Sequence, residues 1–182
     1  MLQTDIEKIN RFNFKSLMRS LSYPGEIHRI APVFQSYFLG VASSLLYSEV
    51  SYFYEGQESM ETIRAITNPK TETIEKADYI FCEKVDTDIL LKAKCGTFKD
   101  PDFSAAVIFT CNDFNGLHVK LQGPGIQSEK IITLPIDESF IKQFNAKNKE
   151  FPLGIEVYFL SKEGAIIALS RTTKMELVLW DM

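Results

Sequence analysis

At 182 residues the chain is long enough to bury a sizeable core without disulfide or metal staples, and 45% hydrophobic with 24% charged residues is an ordinary globular composition. The net charge of −4, with no basic stripe interleaved with aromatics, argues against nucleic acid as a partner. No apolar run is long enough to cross a bilayer, and the opening MLQTDIEKINRF lacks the basic start and apolar stretch of a secretory signal, so a cytoplasmic protein without a membrane span is expected.

Thr4 followed by Glu7 fits a capping box, and Ile6, Ile9, Phe14, Leu17, Met18 and Leu21 recur at helical spacing, predicting a helix that ends before Ser22. Tyr23-Pro24-Gly25 then suits a type II turn, with glycine taking the positive φ. EIHRIA reads as a strand. The apolar stretch 33–47 reads as a buried helix, VSYFYE as a strand, SMETIRAI as a short helix capped by Ser59, and ADYIFCE as another strand. The strand at 105–110 and the alternating LHVKLQ at 117–122 are joined by Asn112-Asp113-Phe114-Asn115-Gly116, which predicts an antiparallel hairpin. Residues 137–147 form a last helix. FPLGIEVYFL and AIIAL flank Ser161-Lys162-Glu163-Gly164, a second hairpin signal. Helix and strand exchanging places point to a layered α/β architecture with a mixed sheet, and no repeat or linker divides residues 1–182.

Chemistry-bearing residues are sparse. Cys82, Cys111 and Cys95 are too widely spaced for a paired-cysteine metal knuckle, and their odd number argues for reduced thiols. His28 and His118 lie far apart and suit strand faces, so no metal is assigned. Asp78, Glu83, Asp86, Asp88, Asp100 and Asp102 are scattered, and such carboxylates mostly cap helices and face solvent. There is no GxSxG, no GxxxxGK[ST] and no GxGxxG. The remaining anion candidates are the turn Gly123-Pro124-Gly125, whose amides can cradle a charge, and Arg171 with Thr172 and Thr173 after a buried strand. Arg171 serves equally as an interface or pairing residue, and that reading is taken first.

FKSLMRSLSYPGEI, LLYSEVSY, GTFKDPDFSAAVIF with LQGPGI, and FPLGIEVYFLSKEGAIIALSRTT occur in the order and spacing of the PhnH family of phosphonate metabolism proteins, and the ordered set resembles that family over most of the chain. The resemblance implies a three-layer αβα sandwich with a mixed central sheet, similar to the large domain of pyridoxal-phosphate-dependent transferases but without the cofactor. It also implies a homodimer in isolation, the G, I and J subunits of carbon-phosphorus lyase as partners, and an accessory role in attaching an alkylphosphonate to the ribose of a nucleoside triphosphate with loss of the base. No catalytic residue is assigned. A surviving pyridoxal-phosphate enzyme would need a Schiff-base lysine, for which Lys120 and Lys130 are the candidates.

Overall fold

The middle and end of the sequence carry short β-rich runs that are apolar at nearly every position, which is how strands read when both faces of a sheet are covered. The computed structural model describes residues 3–178, with side chains from residue 5 onward, so the predicted cap at Thr4 lies outside the described side chains. The elements run α1 (Gln3–Ser22), β1 (His28–Arg29), α2 (Tyr37–Leu45), β2 (Ser51–Glu55), α3 (Glu61–Thr67), β3 (Lys70–Thr71), β4 (Tyr79–Cys82) and α4 (Thr87–Lys92). They continue with β5 (Ala106–Cys111), β6 (Leu117–Gln122), β7 (Lys130–Leu134), α5 (Glu138–Lys147), β8 (Glu156–Ser161), β9 (Ala165–Leu169) and β10 (Lys174–Leu177).

Seven strands form a mixed sheet in the order β1-β9-β8-β5-β4-β2-β3, in which β3, β2, β4, β5 and β8 are mutually parallel and β9 runs against β8. Side chains alternate between its two faces. Val107, Phe109, Val157, Phe159, Ile167 and Leu169 meet α4 and α5 on one side. Ala106, Ile108, Tyr158, Leu160, Ile166 and Ala168 meet α1, α2 and α3 on the other. Phe109, Phe140 and Phe159 pack with ring centroids 5.7–6.0 Å apart, and Phe144 stacks on Phe140 at 6.4 Å.

The helix α5 opens where the sequence suggests, with the Asp137 carboxylate accepting the Phe140 N–H at 2.7 Å. Gly25 takes φ +78 in a turn closed by the Glu26 N–H on the Tyr23 carbonyl at 3.1 Å. The β8–β9 hairpin forms as expected. Four expectations need correction. First, β5 and β6 do not pair: β5 is an interior strand flanked by β4 and β8, so the Asn112–Gly116 segment leads out of the sheet. The alternating β6 instead joins β7 and β10 in a separate three-stranded sheet that turns Val119, Leu121, Leu134 and Met175 onto the core.

Second, Phe14 and Met18 of α1 are half exposed, while Asn13, Leu17 and Ser20 are fully buried. Asn13 decides the orientation. Its amide donates to the Ala31 carbonyl at 2.9 Å and the Gly40 carbonyl at 3.2 Å, and its oxygen accepts the Ala31 N–H at 2.7 Å. Turning that stripe inward leaves the neighbouring Phe14–Met18 stripe in solvent. Third, α2 starts only at Tyr37, because Val33 and Ser36 exchange backbone hydrogen bonds at 3.0 Å across a tight turn. Ser36 then caps the helix by accepting the Leu39 N–H. Fourth, α3 starts one residue later than a Ser59 cap predicts, with Met60 in the cap position and no side-chain cap bond.

Candidate functional site

Arg171, Thr172 and Thr173 form the turn between β9 and β10, built because the fully buried β9 must leave the sheet and reverse. Ser170 Oγ lies 3.0 Å from both the Thr172 and Thr173 hydroxyls, and the Thr173 N–H closes the turn on the Ser170 carbonyl at 2.9 Å. Thr173 is 3% exposed. The glycine turn lies alongside: a Cβ on Gly123 would sit 2.7 Å from the Thr172 carbonyl oxygen, and one on Gly125, at φ +83, would sit 2.0 Å from the Ser22 carbonyl oxygen. Only glycine fits between the end of α1 and this turn. All five candidate residues therefore come together.

Their hydrogen bonds run inward. A guanidinium has five N–H donors. Arg171 Nε and one Nη2 hydrogen go to Glu156 Oε1 at 3.0 and 2.9 Å, and the other Nη2 hydrogen goes to Ser104 Oγ at 2.7 Å. Nη1 gives both hydrogens to carbonyls, Pro101 at 2.7 Å and Pro152 at 3.1 Å. Every donor is taken up by the chain itself. The turn is a clamp joining the start of β8 to two loops at the amino ends of β5 and β8. Those loops carry Phe98, Phe103 and Phe151, which are 71%, 64% and 70% exposed. Three phenylalanines thus stand in water on two loops tied to one arginine, and they are among the most exposed large apolar side chains of the described residues.

The other candidates are engaged locally. The Asp78 carboxylate receives the Ser51 N–H and hydroxyl, both at 2.7 Å, and the Lys94 ammonium. Burial works to raise this carboxyl, but the bonds from Lys94 and Ser51 outweigh it and hold it below the ordinary aspartate value. Asp86 caps α4. The three cysteines are free, and burial pushes the Cys82 and Cys111 thiols up to about 12. His118 Nδ1 lies 3.3 Å from the Thr133 hydroxyl, and His28 lies 4.0 Å from Glu26. Among the described residues no group of three or more His, Cys, Asp or Glu side chains is placed to hold a metal, and no helix is long and apolar enough to cross a membrane.

Pyridoxal phosphate does not fit the two candidate lysines. A Schiff-base lysine must lose its proton, whereas the bond from Glu176, 2.6 Å from Lys120, raises the Lys120 ammonium above its ordinary value. Lys130 pairs with Glu26 at 3.7 Å. Both lie on the small sheet.

At the opposite, carboxyl edge of the large sheet, sequence reading missed an arrangement around Glu83. Its Oε1 accepts the Tyr54 hydroxyl at 2.7 Å, the Gln57 N–H at 2.7 Å and the Glu58 N–H at 3.0 Å. The Tyr54 bond, then the Glu58 and Gln57 amides, hold this carboxyl below its usual range; burial and then Glu83 raise the Tyr54 phenol. Glu83 is 29 residues from Tyr54, and only the parallel pairing of β2 with β4 brings the two together.

The fold and these sites define a layered α/β domain whose most strongly bonded arginine serves its own architecture. Residues 5–176 match the family model described as bacterial phosphonate metabolism protein (PhnH). The chain belongs to the PhnH family. It is 30% identical over 169 residues to a Stutzerimonas stutzeri protein named "Putative C-P lyase subunit protein HtxG", covering 90% of this chain and 84% of that one.

Proposed function

We propose that the chain is an accessory subunit of the carbon-phosphorus lyase core complex in phosphonate catabolism. It supports transfer of an alkylphosphonate to the ribose of a nucleoside triphosphate with loss of the base, and it contributes surface rather than chemistry. In this reading the chain acts in the cytoplasm as one PhnH-like domain over 1–182, with a fold akin to the large domain of pyridoxal-phosphate-dependent transferases. It is a homodimer alone and meets the G, I and J subunits in the complex. Family membership and the name of the Stutzerimonas relative support the assignment.

The observation that carries the surface role is the saturated Arg171 fork. An anion at Arg171 would have to displace bonds already made, so Arg171, Thr172, Thr173, Gly123 and Gly125 act as the frame of a docking surface whose contacts are Phe98, Phe103 and Phe151. Exposed aromatics on rigid loops are what a protein partner's apolar pockets take up. Affinity capture of the companion subunits with purified wild type and with F98A/F103A/F151A tests this. Wild type should retain them, the triple variant should lose them, and neither should turn over a phosphonate with ATP. Turnover by the isolated chain, or undiminished capture by the triple variant, refutes it.

A further inference from the structure

The crossovers change side between two neighbouring strands of the large sheet. After β2 the chain enters α3, whose Ile63 packs with α1 and α2; after β4 it enters α4, whose Ile89 and Leu90 pack on the opposite face. Since β2 and β4 are parallel neighbours, their outgoing connections part and leave a crevice beyond their carboxyl ends, the place where open α/β sheets bind small molecules. A depression of about 390 Å³ lies there, and a larger one of about 840 Å³ continues from it along the carboxyl ends of β4, β5 and β8, the two sharing Glu83 and Lys84 in their walls. The larger falls in the range of small-molecule sites.

The polar groups converge with a definite character. All three bonds to Glu83 fall on Oε1, so among the described residues nothing in the chain bonds Oε2. The carboxylate is seated closely enough that a Cβ on Gly56 would come within 2.6 Å of it, so residue 56 has to be glycine or the carboxylate moves. A fixed carboxylate with one unused oxygen can only accept, so it suits a ligand's hydroxyl and repels a bare anion. Lys84 and Lys162 line the larger depression, and neither is in a contact ion pair among the described residues. A neutral polyol would leave both cations unused. A simple anion would face Glu83. The ligand has to carry both functions.

We propose that the carboxyl edge of the large sheet binds a phosphorylated sugar, free or within a nucleotide, with its phosphate on Lys84 and Lys162 and a hydroxyl on Glu83 Oε2. The site lies at the end of the strands opposite the Arg171 clamp, so a failure here leaves the docking reading untouched. Calorimetric titration of the full chain with ribose 5-phosphate, AMP, ribose and inorganic phosphate tests it. Ribose 5-phosphate or AMP should bind at least about tenfold more tightly than ribose or phosphate, the factor expected for one charge-assisted bond. Tighter AMP binding assigns the site to a nucleotide, and tighter ribose 5-phosphate binding to a free sugar phosphate.

K84A/K162A changes two exposed side chains and should lower that affinity at least tenfold with the circular dichroism unchanged. E83Q keeps an oxygen for the three donors but replaces the hydroxyl acceptor, so it should erase the preference over inorganic phosphate. Absence of heat with every probe at millimolar concentration overturns the proposal, as does a double-lysine variant that binds like wild type. Equal binding of phosphate and ribose 5-phosphate by wild type overturns the role of Glu83.

Discussion

Replacing Arg171 by alanine isolates the clamp. The change removes five hydrogen bonds at 2.7–3.1 Å and leaves Glu156 without its cation, with Ser104 and the Pro101 and Pro152 carbonyls stripped of their donor. Breaking a buried pair from one side costs about 3–5 kcal/mol. The Arg171 and Glu156 side chains keep 16% and 25% of their accessibility, so water partly replaces the lost donors and the lower end applies, about 3 kcal/mol. For a domain of this length that is a fall in Tm of roughly 6–12 °C. Urea denaturation followed by circular dichroism, with a calorimetric melt, measures it. Lysine keeps the charge but has at most three donors, so R171K should lose about half as much. E156Q in the alanine background should recover part of the loss, because it removes the orphaned carboxylate. A loss below about 0.5 kcal/mol in R171A, the range of unremarkable surface changes, refutes the clamp.

Two further outcomes follow from the ionisable groups. The folded Asp78 carboxyl lies below its unfolded value, so its contribution to stability is complete above the ordinary aspartate pKa of about 3.9 and fades as pH falls through the lower folded value. D78N should flatten the acid limb of urea midpoint against pH, and an unchanged limb rejects the assignment. With thiols near 12, Cys82 and Cys111 hold roughly one part in ten thousand as thiolate at pH 8. Iodoacetamide with peptide mapping should modify both only slowly in the native protein and rapidly in urea, whereas fast native labelling of either contradicts its burial.

Local signals with a single meaning were legible in the sequence. The helical pattern over residues 137–147, Pro24-Gly25, and the Ser161–Gly164 turn between two apolar runs each specify one geometry through nearby residues. The β5–β6 hairpin went wrong because a loop of turn residues constrains the chain's reversal but not which strand edges are vacant, and both edges of β5 are filled by strands distant in sequence. The inward face of α1 was hidden for a related reason. Its orientation follows from one asparagine satisfying backbone groups 18 and 27 residues away, which outweighs two large apolar side chains. Arg171, Thr172 and Thr173 were visible as a charged turn after a buried strand, but their partners at Ser104 and Glu156 were not. Glu83 was one acid among several until β2 and β4 paired.

The large sheet is bounded by β1 and β3, strands of only two residues, each carrying a cation at Arg29 and Lys70. Such margins give a passing chain very few vacant amides and carbonyls to copy, and the positive charge discourages a second copy from adding its own border strand. Growth of the large sheet into ribbons by copies stacking edge to edge is thereby disfavoured.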